Sequence, residues 1–229
     1  MSFAASSPRV LPTHHALLGL LCLAALGVIG CQSNIVSQFP DGLTAIEENT
    51  ATPPEATATD EFPEVRSVLT GEDDGGAWLH GFAYVKAPIA LVWTAFKDPN
   101  VAIDRRNITS FTTTFDVEDE YDVSFRSHYV IEDVVTVEFD VTWRESAVEG
   151  TVEAPTRVVV AYQKTAGSSF LRRMAGTIEL LQMTPDVTRI GWVMRLDASR
   201  TGPPDLISWN ADQYTNVLHS VRGEPLLVF

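Results

Sequence analysis

In residues 77–229, three of the five histidines of the sequence and a short row of charged residues are the side chains whose types could support chemistry. His80, His128 and His219 could together hold a zinc ion with an open coordination position, but none has a close-spaced partner such as H-x-x-x-H. Glu138 and Asp140 share one face of a strand-like segment and could supply a general acid and a general base. Such a row is more typical of the solvated face of an antiparallel sheet. We therefore predict neither a metal site nor a catalytic pair.

The sequence does not contain the short motifs that mark common enzyme and nucleotide sites. It has no G-x-S-x-G nucleophile motif, no G-x-x-x-x-G-K-[ST] phosphate loop and no G-x-G-x-x-G dinucleotide loop. We expect no cofactor. The net charge of −14 disfavours binding to the phosphate backbone of nucleic acid, so no nucleic-acid partner is expected either.

The first 30 residues have the composition of an export signal. Residues 1–15 carry Arg9 and no acid, and residues 16–30 form an uninterrupted apolar run. A helix that spans the hydrocarbon core of a bilayer needs about 20 residues, so this shorter run with small residues at its end is typical of a signal peptide. Cys22 lies inside the run and leaves with it. Cys31 then remains as a single cysteine, which cannot form an intramolecular disulfide.

The end of the apolar run, Val28-Ile29-Gly30-Cys31, resembles the lipobox of bacterial lipoproteins. The resemblance implies cleavage after Gly30, a diacylglyceryl thioether on Cys31 and acylation of the new amino terminus, which together anchor a protein stably in a membrane. Gln32 stands where lipoproteins kept in the inner membrane usually carry Asp. The resemblance thus indicates an exported, lipid-anchored envelope protein, on the periplasmic face of the outer membrane in a Gram-negative host. An ordinary signal peptide that leaves a free thiol is the alternative.

Residues 31–76 are interpreted as the lipidated cysteine followed by an acidic, disordered tether. Residues 32–76 carry ten acids and one base and are rich in Thr, Ala, Pro and Glu. A segment of this composition does not bury enough apolar surface to offset the entropy lost on ordering. The short run 65–69 could dock on the domain as a strand or a turn of helix. The folded domain is predicted to span residues 77–229.

Hydrophobic periodicity in residues 77–229 predicts strands and helices in a definite order. A strand over 77–85 precedes a helix that begins near Pro88 and ends at Asp98-Pro99, and a second helical turn is predicted around 101–105. A long final helix opens at Gly202 and ends near Gly223. Between them the period of two predicts six strands, which cover 111–117, 121–131, 135–144, 156–163, 170–183 and 188–198.

This order of elements resembles the START-like (SRPBCC, helix-grip) superfamily, whose members include lipid-transfer domains, plant pollen-allergen-like proteins and polyketide cyclases. Short matching features are Ala87-Pro88, Asp98-Pro99, the segment 176–180 and the terminal amphipathic helix. The resemblance implies an α+β fold in which a curved antiparallel sheet of about seven strands wraps a long C-terminal helix. It also implies a short helix pair after the first strand and a cavity between sheet and helix. A mixed α+β sandwich without a cavity is the alternative.

The resemblance leads to a set of candidate cavity-lining residues and to three functional hypotheses. The first is a binding module for a hydrophobic small molecule or lipid, and the second is a structural or interaction lipoprotein in which the aromatic residues fill the cavity. The third is an enzyme similar to the polyketide cyclases, which would need a polar residue inside the pocket. The candidate residues are Trp143, Phe139, Trp192, Met194, Trp209, Tyr214, Leu218, His80, Asn210 and Arg195, of which His80, Asn210 and Arg195 are the polar candidates of the third hypothesis.

Overall fold

The computed structural model of the protein describes residues 38–106, 108–132, 134–199 and 201–229. The predicted signal peptide and Cys31 lie outside these residues. The described chain forms eight strands and three helices. Their bounds are β1 Arg66–Asp73, β2 Gly76–Val85, α1 Ile89–Phe96, α2 Pro99–Ala102, β3 Ser110–Phe115, β4 Val123–Glu132, β5 Thr136–Gly150, β6 Pro155–Gly167, β7 Leu171–Thr184, β8 Val187–Ala198 and α3 Pro203–Arg222.

All eight strands belong to one antiparallel sheet with the order β1-β2-β8-β7-β6-β5-β4-β3. Strand β2 lies next to β8, so helices α1 and α2 and the five strands β3 to β7 lie along the chain between two strands that are neighbours in the sheet. Helices α3 and α1 pack on the sheet, and α2 packs against both of these helices. The architecture is therefore the predicted helix-grip arrangement of an antiparallel sheet on a long C-terminal helix.

The sheet contains one strand more than the periodicity of residues 77–229 predicts. Strand β1 pairs along its whole length with β2, from Arg66 opposite Ala83 to Asp73 opposite Gly76. Composition assigned these residues to the tether, although the run 65–69 was expected to dock on the domain as a strand or a turn of helix. The strand is only half-buried or exposed along its length, as expected at the edge of a sheet. The sheet thus begins at Arg66, before the predicted domain boundary at residue 77.

Residues upstream of β1 also contact the sheet, on the face opposite α3. The side-chain amide of Asn49 donates to the main-chain carbonyls of Gly81 and Trp192 at 3.1 and 3.2 Å. The main-chain N–H of Ile46 donates to Thr177 Oγ1 at 3.2 Å. Part of the segment that composition assigned to the tether therefore covers the outer face of β2, β7 and β8.

Local sequence signals account for the helix boundaries. Pro88 precedes α1, where its missing N–H leaves no hydrogen bond unmade. The Asp98 side chain caps α2 by accepting from the main-chain N–H of Asn100 at 2.9 Å. Asp205 accepts from the main-chain N–H of Gly202 at 2.8 Å at the start of α3. Gly223 ends α3 with a left-handed φ of 68°, which glycine adopts without steric cost.

Polar bonds fix α3 against the rest of the core. Gln213 accepts from the indole N–H of Trp192 at 2.8 Å and donates to the main-chain carbonyl of Ala102 at 2.9 Å. The Tyr214 hydroxyl donates to the main-chain carbonyl of Tyr84 at 2.8 Å. These bonds link the helix to β8, α2 and β2 at defined positions. Within the described residues, no helix has the length and apolar character that crossing a bilayer requires.

Candidate functional site

A cavity of about 400 Å³ lies between α3 and one end of the sheet. At this end the β4–β5 and β6–β7 turns, the α2–β3 loop and the β8–α3 loop come together. The volume falls in the range of small-molecule sites, which is about 300 to 1,000 Å³. The lining residues are Asp104, Ile108, Ile131, Val134, Val135, Val137, Phe139, Phe170, Leu171, Met174, Leu196, Ala198, Ser199, Thr201, Asp205 and Trp209.

The cavity wall is mostly aliphatic and aromatic, and its polar groups belong to the loops and to the start of α3. Asp104 is paired with Arg106, whose Nε and NH2 donate to its two carboxylate oxygens at 3.0 and 2.8 Å. Asp205 caps α3 through Gly202, as described above. Both carboxylates are therefore already bonded within the protein. A wall of this kind suits an apolar molecule oriented by a few polar contacts.

Large apolar side chains stand exposed at the edge of the cavity. Val134 and Val135, in the β4–β5 turn, are 93% and 53% exposed, and Phe170, in the β6–β7 turn, is 50% exposed. The floor is formed by residues that are almost fully buried, among them Met174 and Trp209. The cavity is thus open toward the turns and closed toward the middle of the sheet.

Two of the ten candidate residues line this cavity, Phe139 and Trp209. Trp143, Trp192 and Met194 face the helix side of the sheet as predicted, but they lie nearer the middle of their strands and are completely buried. The inner face of the sheet is therefore packed in its middle and open at one end. Sequence periodicity identifies the face of a strand, but it does not tell where along the strand the packing stops.

The candidates on α3 beyond Trp209 also lie away from the cavity. Tyr214 is buried against β2 through its bond to Tyr84, and Leu218 packs at the margin of the core. Asn210 is completely buried and accepts from Arg66 of β1 at 2.5 Å. The cavity touches only the first two turns of the helix, through Asp205 and Trp209.

The placement of His80 and Arg195 corrects their assignment to the cavity. Both side chains lie on the outer face of the sheet, where Glu47 Oε1 is 2.9 Å from His80 Nε2 and accepts from Arg195 Nε at 2.8 Å. Successive side chains of a strand point to opposite faces. Leu79 of β2 and Leu196 of β8 occupy the inner face, so their neighbours His80 and Arg195 point outward. Asn210 does not line the cavity either. None of the three polar candidates of the cyclase-like hypothesis is therefore part of the cavity wall.

A stack of aromatic rings underlies the cavity floor. Ring centroids are 5.6 Å apart for Phe125 and Trp143, 4.5 Å for Trp143 and Tyr162, and 5.5 Å for Tyr162 and Trp209. Tyr129 stacks on the cavity-lining Phe139 at 5.0 Å. In the described residues, four polar atoms of this stack are buried without a hydrogen-bond partner: Tyr129 Oη, Trp143 Nε1, Tyr162 Oη and Trp209 Nε1.

A carboxyl group and an amino group, those of Glu145 and Lys164, are completely buried on the inner face. Burial raises the pKa of Glu145 to about 8, although its carboxylate accepts a 2.7 Å hydrogen bond from the indole N–H of Trp93. Burial lowers the pKa of Lys164, whose ammonium donates to the main-chain carbonyl of Ser168 at 2.9 Å. Neither side chain lines the cavity. Their contacts connect β5 to α1 and β6 to the β6–β7 turn, respectively.

Each of the three histidines of the domain has a different partner, and that of His80 is Glu47. His128 is exposed beside Asp140 at 2.7 Å, and His219 lies 2.7 Å from the main-chain carbonyl of Pro225. Across the described ranges, no group of three or more His, Cys, Asp or Glu side chains is arranged to hold a metal ion. The carboxylate row of β5 is on the solvent side of the sheet, since Glu138 and Asp140 alternate with the inward Phe139.

Most of the cavity wall was not among the candidates. Val137, Leu196 and Ala198 share the inward parity of Phe139 and Met194, but the candidates were chosen mainly among large aromatic and thioether side chains. Ile108, Val134 and Phe170 lie in loops or turns, where period-two alternation gives no information. Selecting the inward-facing positions of each strand that lie close to a turn would have identified the strand residues of the cavity wall.

Several solved structures have a fold similar to that of this chain. No protein-family model matches the chain, and no curated protein sequence matches it. The structure is similar to human StAR-related lipid transfer protein 5, with a TM-score of 0.48 and 14% identity over 71% of this chain and 84% of that one. Human StarD13 lipid transfer and protein localization domain gives a TM-score of 0.46 and 10% identity over 69% and 83% of the two chains. ZhuI aromatase/cyclase from Streptomyces sp. R1128 gives 0.42 and 13% over 64% and 91%.

Proposed function

We propose that the protein is a membrane-anchored binding module for a hydrophobic small molecule or lipid in the bacterial cell envelope. The observation that carries the proposal is the cavity of about 400 Å³ between α3 and the sheet, with its apolar wall. Placing an apolar molecule against such a wall removes apolar surface from water, which contributes about 25 cal/mol per Å². The buried floor gives the site a fixed depth, and the exposed edge gives a path of entry.

The cavity also distinguishes this proposal from a packed scaffold. A scaffold would fill the space with its aromatic side chains, as Trp143 and Trp192 do in the middle of the sheet. At the cavity end the corresponding inward positions hold smaller residues, among them Val137 and Ala198. The change from large to small inward side chains along the same strands supports a space that is kept open for a ligand.

Native mass spectrometry of tag-free protein extracted from its host tests the binding proposal. We expect a population whose mass exceeds that of the lipidated chain by one small apolar molecule, which organic solvent releases. A cavity of this size fits one such molecule rather than a phospholipid with two long chains. Protein that carries no added mass, and takes up none from a crude lipid extract, would contradict the proposal.

The anchor is the second part of the proposal, and it rests on Val28–Cys31. We expect Cys31→Ala to move the protein from the membrane fraction to the soluble export fraction, because the thioether-linked acyl chains are lost. Cys22→Ala is the matched control, since it lies in the segment that is removed, and should leave the protein in membranes. Sedimentation of the Cys31→Ala protein with membranes would refute the anchor without bearing on the cavity.

A further inference from the structure

Strand β1 forms one edge of the sheet, and no other strand of the described chain lies on its outer side. It joins β2 through the two-residue loop Asp74-Gly75, and the closing pair of such a hairpin is hydrogen-bonded. Hydrogen-bonded and non-hydrogen-bonded pairs alternate along an antiparallel ladder. The main-chain groups of every second residue, counted from Asp73, therefore point to β2. Those of the residues in between point to the open edge, and these residues are Arg66, Val68, Thr70 and Glu72.

The open edge of β1 is regular and unpaired within the described residues. Apart from the ladder with β2, no main-chain hydrogen bond of the described chain involves these four residues. The ladder has no bulge, β1 contains no proline, and Val68 and Leu69 are 36% and 47% exposed. Such an edge is a template for another strand unless bulges, prolines or charges prevent pairing. In β1 the charges are present, so they determine which strand can pair.

We propose that β1 pairs with β1 of a second copy of this chain, in antiparallel orientation about a two-fold axis at Leu69. Arg66 then lies opposite Glu72 of the second copy, and Val68 lies opposite Thr70 of the second copy. Each of these pairs exchanges two main-chain hydrogen bonds. All four residues of the open edge are paired in this register, whereas a shift by two residues leaves one of them without a partner strand residue. The interface is the same surface on both copies, as two-fold symmetry requires.

Apolar side chains lie at the centre of this interface. Leu69 is opposite His80 in the β1–β2 ladder and therefore shares the outer face of the sheet with it. At the two-fold axis the two copies of Leu69 form a non-hydrogen-bonded pair, in which side chains approach most closely. The Trp78 ring covers Gly71, the next residue on this face, where an added Cβ would come within 2.5 Å of it. The two leucines are thus flanked by two indole rings.

The charged side chains of β1 complement each other in the same register. Glu72 is exposed and has no ion-pair partner among the described residues. Arg66 donates through one guanidinium nitrogen to Asn210 Oδ1 at 2.5 Å and makes no other side-chain hydrogen bond within the described chain. Opposite charges on directly opposed residues of a sheet attract, and like charges repel. The pair Arg66–Glu72 therefore favours a second β1 over a strand with unrelated charges.

The symmetry places the outer faces of both copies on one side of the joined sheet. The described chain begins on this face, where the Phe39 ring centroid is 3.7 Å from the guanidinium carbon of Arg144. Arg144 points outward because its neighbour Trp143 points inward. Both N-terminal segments thus leave from the same side, which suits the insertion of two lipid anchors into one membrane. The pairing itself depends neither on the anchor nor on the cavity.

Disulfide formation at the two-fold axis tests the register. Leu69→Cys places two thiols at a pair whose Cα atoms are about 4.5 Å apart, within the range of about 4.4 to 6.8 Å that a disulfide needs. Mild oxidation of the mature, detergent-solubilised protein should convert most of it to a covalent dimer. Val65→Cys is the control, because Val65 is similarly exposed at 52% but the two copies would be about 27 Å apart along the ladder. The unmodified protein shows any disulfide that Cys31 forms.

Sedimentation equilibrium of the same preparations tests the edge itself. The unmodified protein should be in a concentration-dependent equilibrium between monomer and dimer. Thr70→Pro removes an N–H that points away from β2, so it should leave the fold intact and raise the dimer dissociation constant by about 5- to 150-fold, the range for two lost hydrogen bonds. Thr70→Ala keeps the N–H and should dimerise like the unmodified protein. Melting curves establish that both variants are folded.

Charge reversal tests the self-complementarity. Glu72→Lys places like charges opposite each other twice per dimer and should raise the dissociation constant by about 2- to 30-fold. Asp74→Lys makes the same change of charge in the turn, outside the paired residues, and should have a smaller effect.

The other outcomes overturn the proposal. A monomer at every concentration, or a dimer that is unaffected by Thr70→Pro, shows that the edge does not pair in this way. Equal cross-linking of Leu69→Cys and Val65→Cys shows random collision. Species larger than a dimer indicate pairing of β1 with β3, and a disulfide from Leu69→Cys to a different protein in native membranes identifies another partner. None of these results bears on ligand binding, which native mass spectrometry tests separately.

Discussion

At the scale of single residues, Glu145 shows how strongly burial controls chemistry in this domain. The carboxyl group is completely buried on the inner face of β5, and one of its oxygens has no described partner. Burial raises its pKa from an ordinary 4.5 to about 8, and the hydrogen bond from Trp93 only partly opposes this effect. The side chain is therefore protonated in the folded protein at neutral pH, so it is a neutral hydrogen-bonding group of the core.

This raised pKa predicts a definite pH dependence of stability. The unfolded chain loses the proton near pH 4.5, whereas the folded chain keeps it until about pH 8. The contribution of Glu145 to stability is therefore complete below pH 4.5, declines as the pH rises to about 8, and is constant above that. Over this interval the decline is on the order of a few kcal/mol, since each unit of pKa corresponds to about 1.4 kcal/mol.

Glu145→Gln isolates this effect because the amide accepts the Trp93 hydrogen bond without titrating. Urea unfolding at pH 5, 7 and 8.5 should show that the variant gains free energy of unfolding relative to the unmodified protein as the pH rises. Glu138→Gln, on the exposed face of the same strand, is the control and should follow the unmodified protein. Equal pH profiles for Glu145→Gln and the unmodified protein would show that the buried carboxyl does not titrate as described.

Residue-scale features of the site could be predicted only in part from the sequence. The inward parity of Phe139, Trp143 and Trp192 follows directly from period-two alternation. The outward position of His80 required knowing which of the two faces of β2 meets the helix, and the aromatic residues Trp78 and Phe82 beside it made either face plausible. Glu47 and Thr50 contact His80 on the outer face, and the composition of their segment gave no indication of that contact.

At the scale of elements, α3 is held to the sheet by specific polar bonds as well as by apolar packing. Gln213 is 1% exposed and joins Trp192 of β8 to the main chain at the end of α2. A buried glutamine that bridges two other elements fixes the rotation of the helix about its axis. That rotation determines which side chains face the cavity.

Gln213→Ala should therefore destabilise the domain by about 2 to 4 kcal/mol, because it leaves the Trp192 N–H and the Ala102 carbonyl buried without partners. Urea unfolding followed by tryptophan fluorescence measures the loss. Ile207→Ala, at a position on the same helix that is 38% exposed, should cost less than about 1 kcal/mol. A cost for Gln213→Ala as small as that of Ile207→Ala would mean that apolar packing alone holds the helix.

The elements themselves were largely predictable. The helix boundaries follow from Pro88, Asp98-Pro99, Gly202 and Gly223, which fix local geometry regardless of tertiary contacts. The strands from β2 to β8 follow from their alternation, although β5 runs on to Gly150, beyond the predicted end at residue 144. Strand β1 is an edge strand of weak alternation within an acidic segment, so composition assigned it to the tether. It pairs with β2 as a local hairpin around Asp74-Gly75, a dipeptide that favours such turns.

At the scale of the whole molecule, the domain combines a packed centre with an open end. Large aromatic residues fill the space between α3 and the middle of the sheet, and smaller residues leave the cavity where the turns meet. The exposed Val134, Val135 and Phe170 surround its opening. This division of the interior is the structural basis for proposing a ligand-binding module rather than a scaffold, and it is independent of which ligand is bound.

The measurement that tests this account most directly is ligand capture by the native protein and by a variant with a filled cavity. Ala198→Trp places a large ring in the cavity wall at the end of β8, and Leu91→Trp adds the same ring at an exposed position on α1 as the matched control. In native mass spectra after incubation with a lipid extract of the host, the unmodified and Leu91→Trp proteins should carry one bound apolar molecule. The Ala198→Trp protein, folded by its melting curve, should carry none. Equal occupancy in all three proteins would contradict the assignment of this cavity as the binding site.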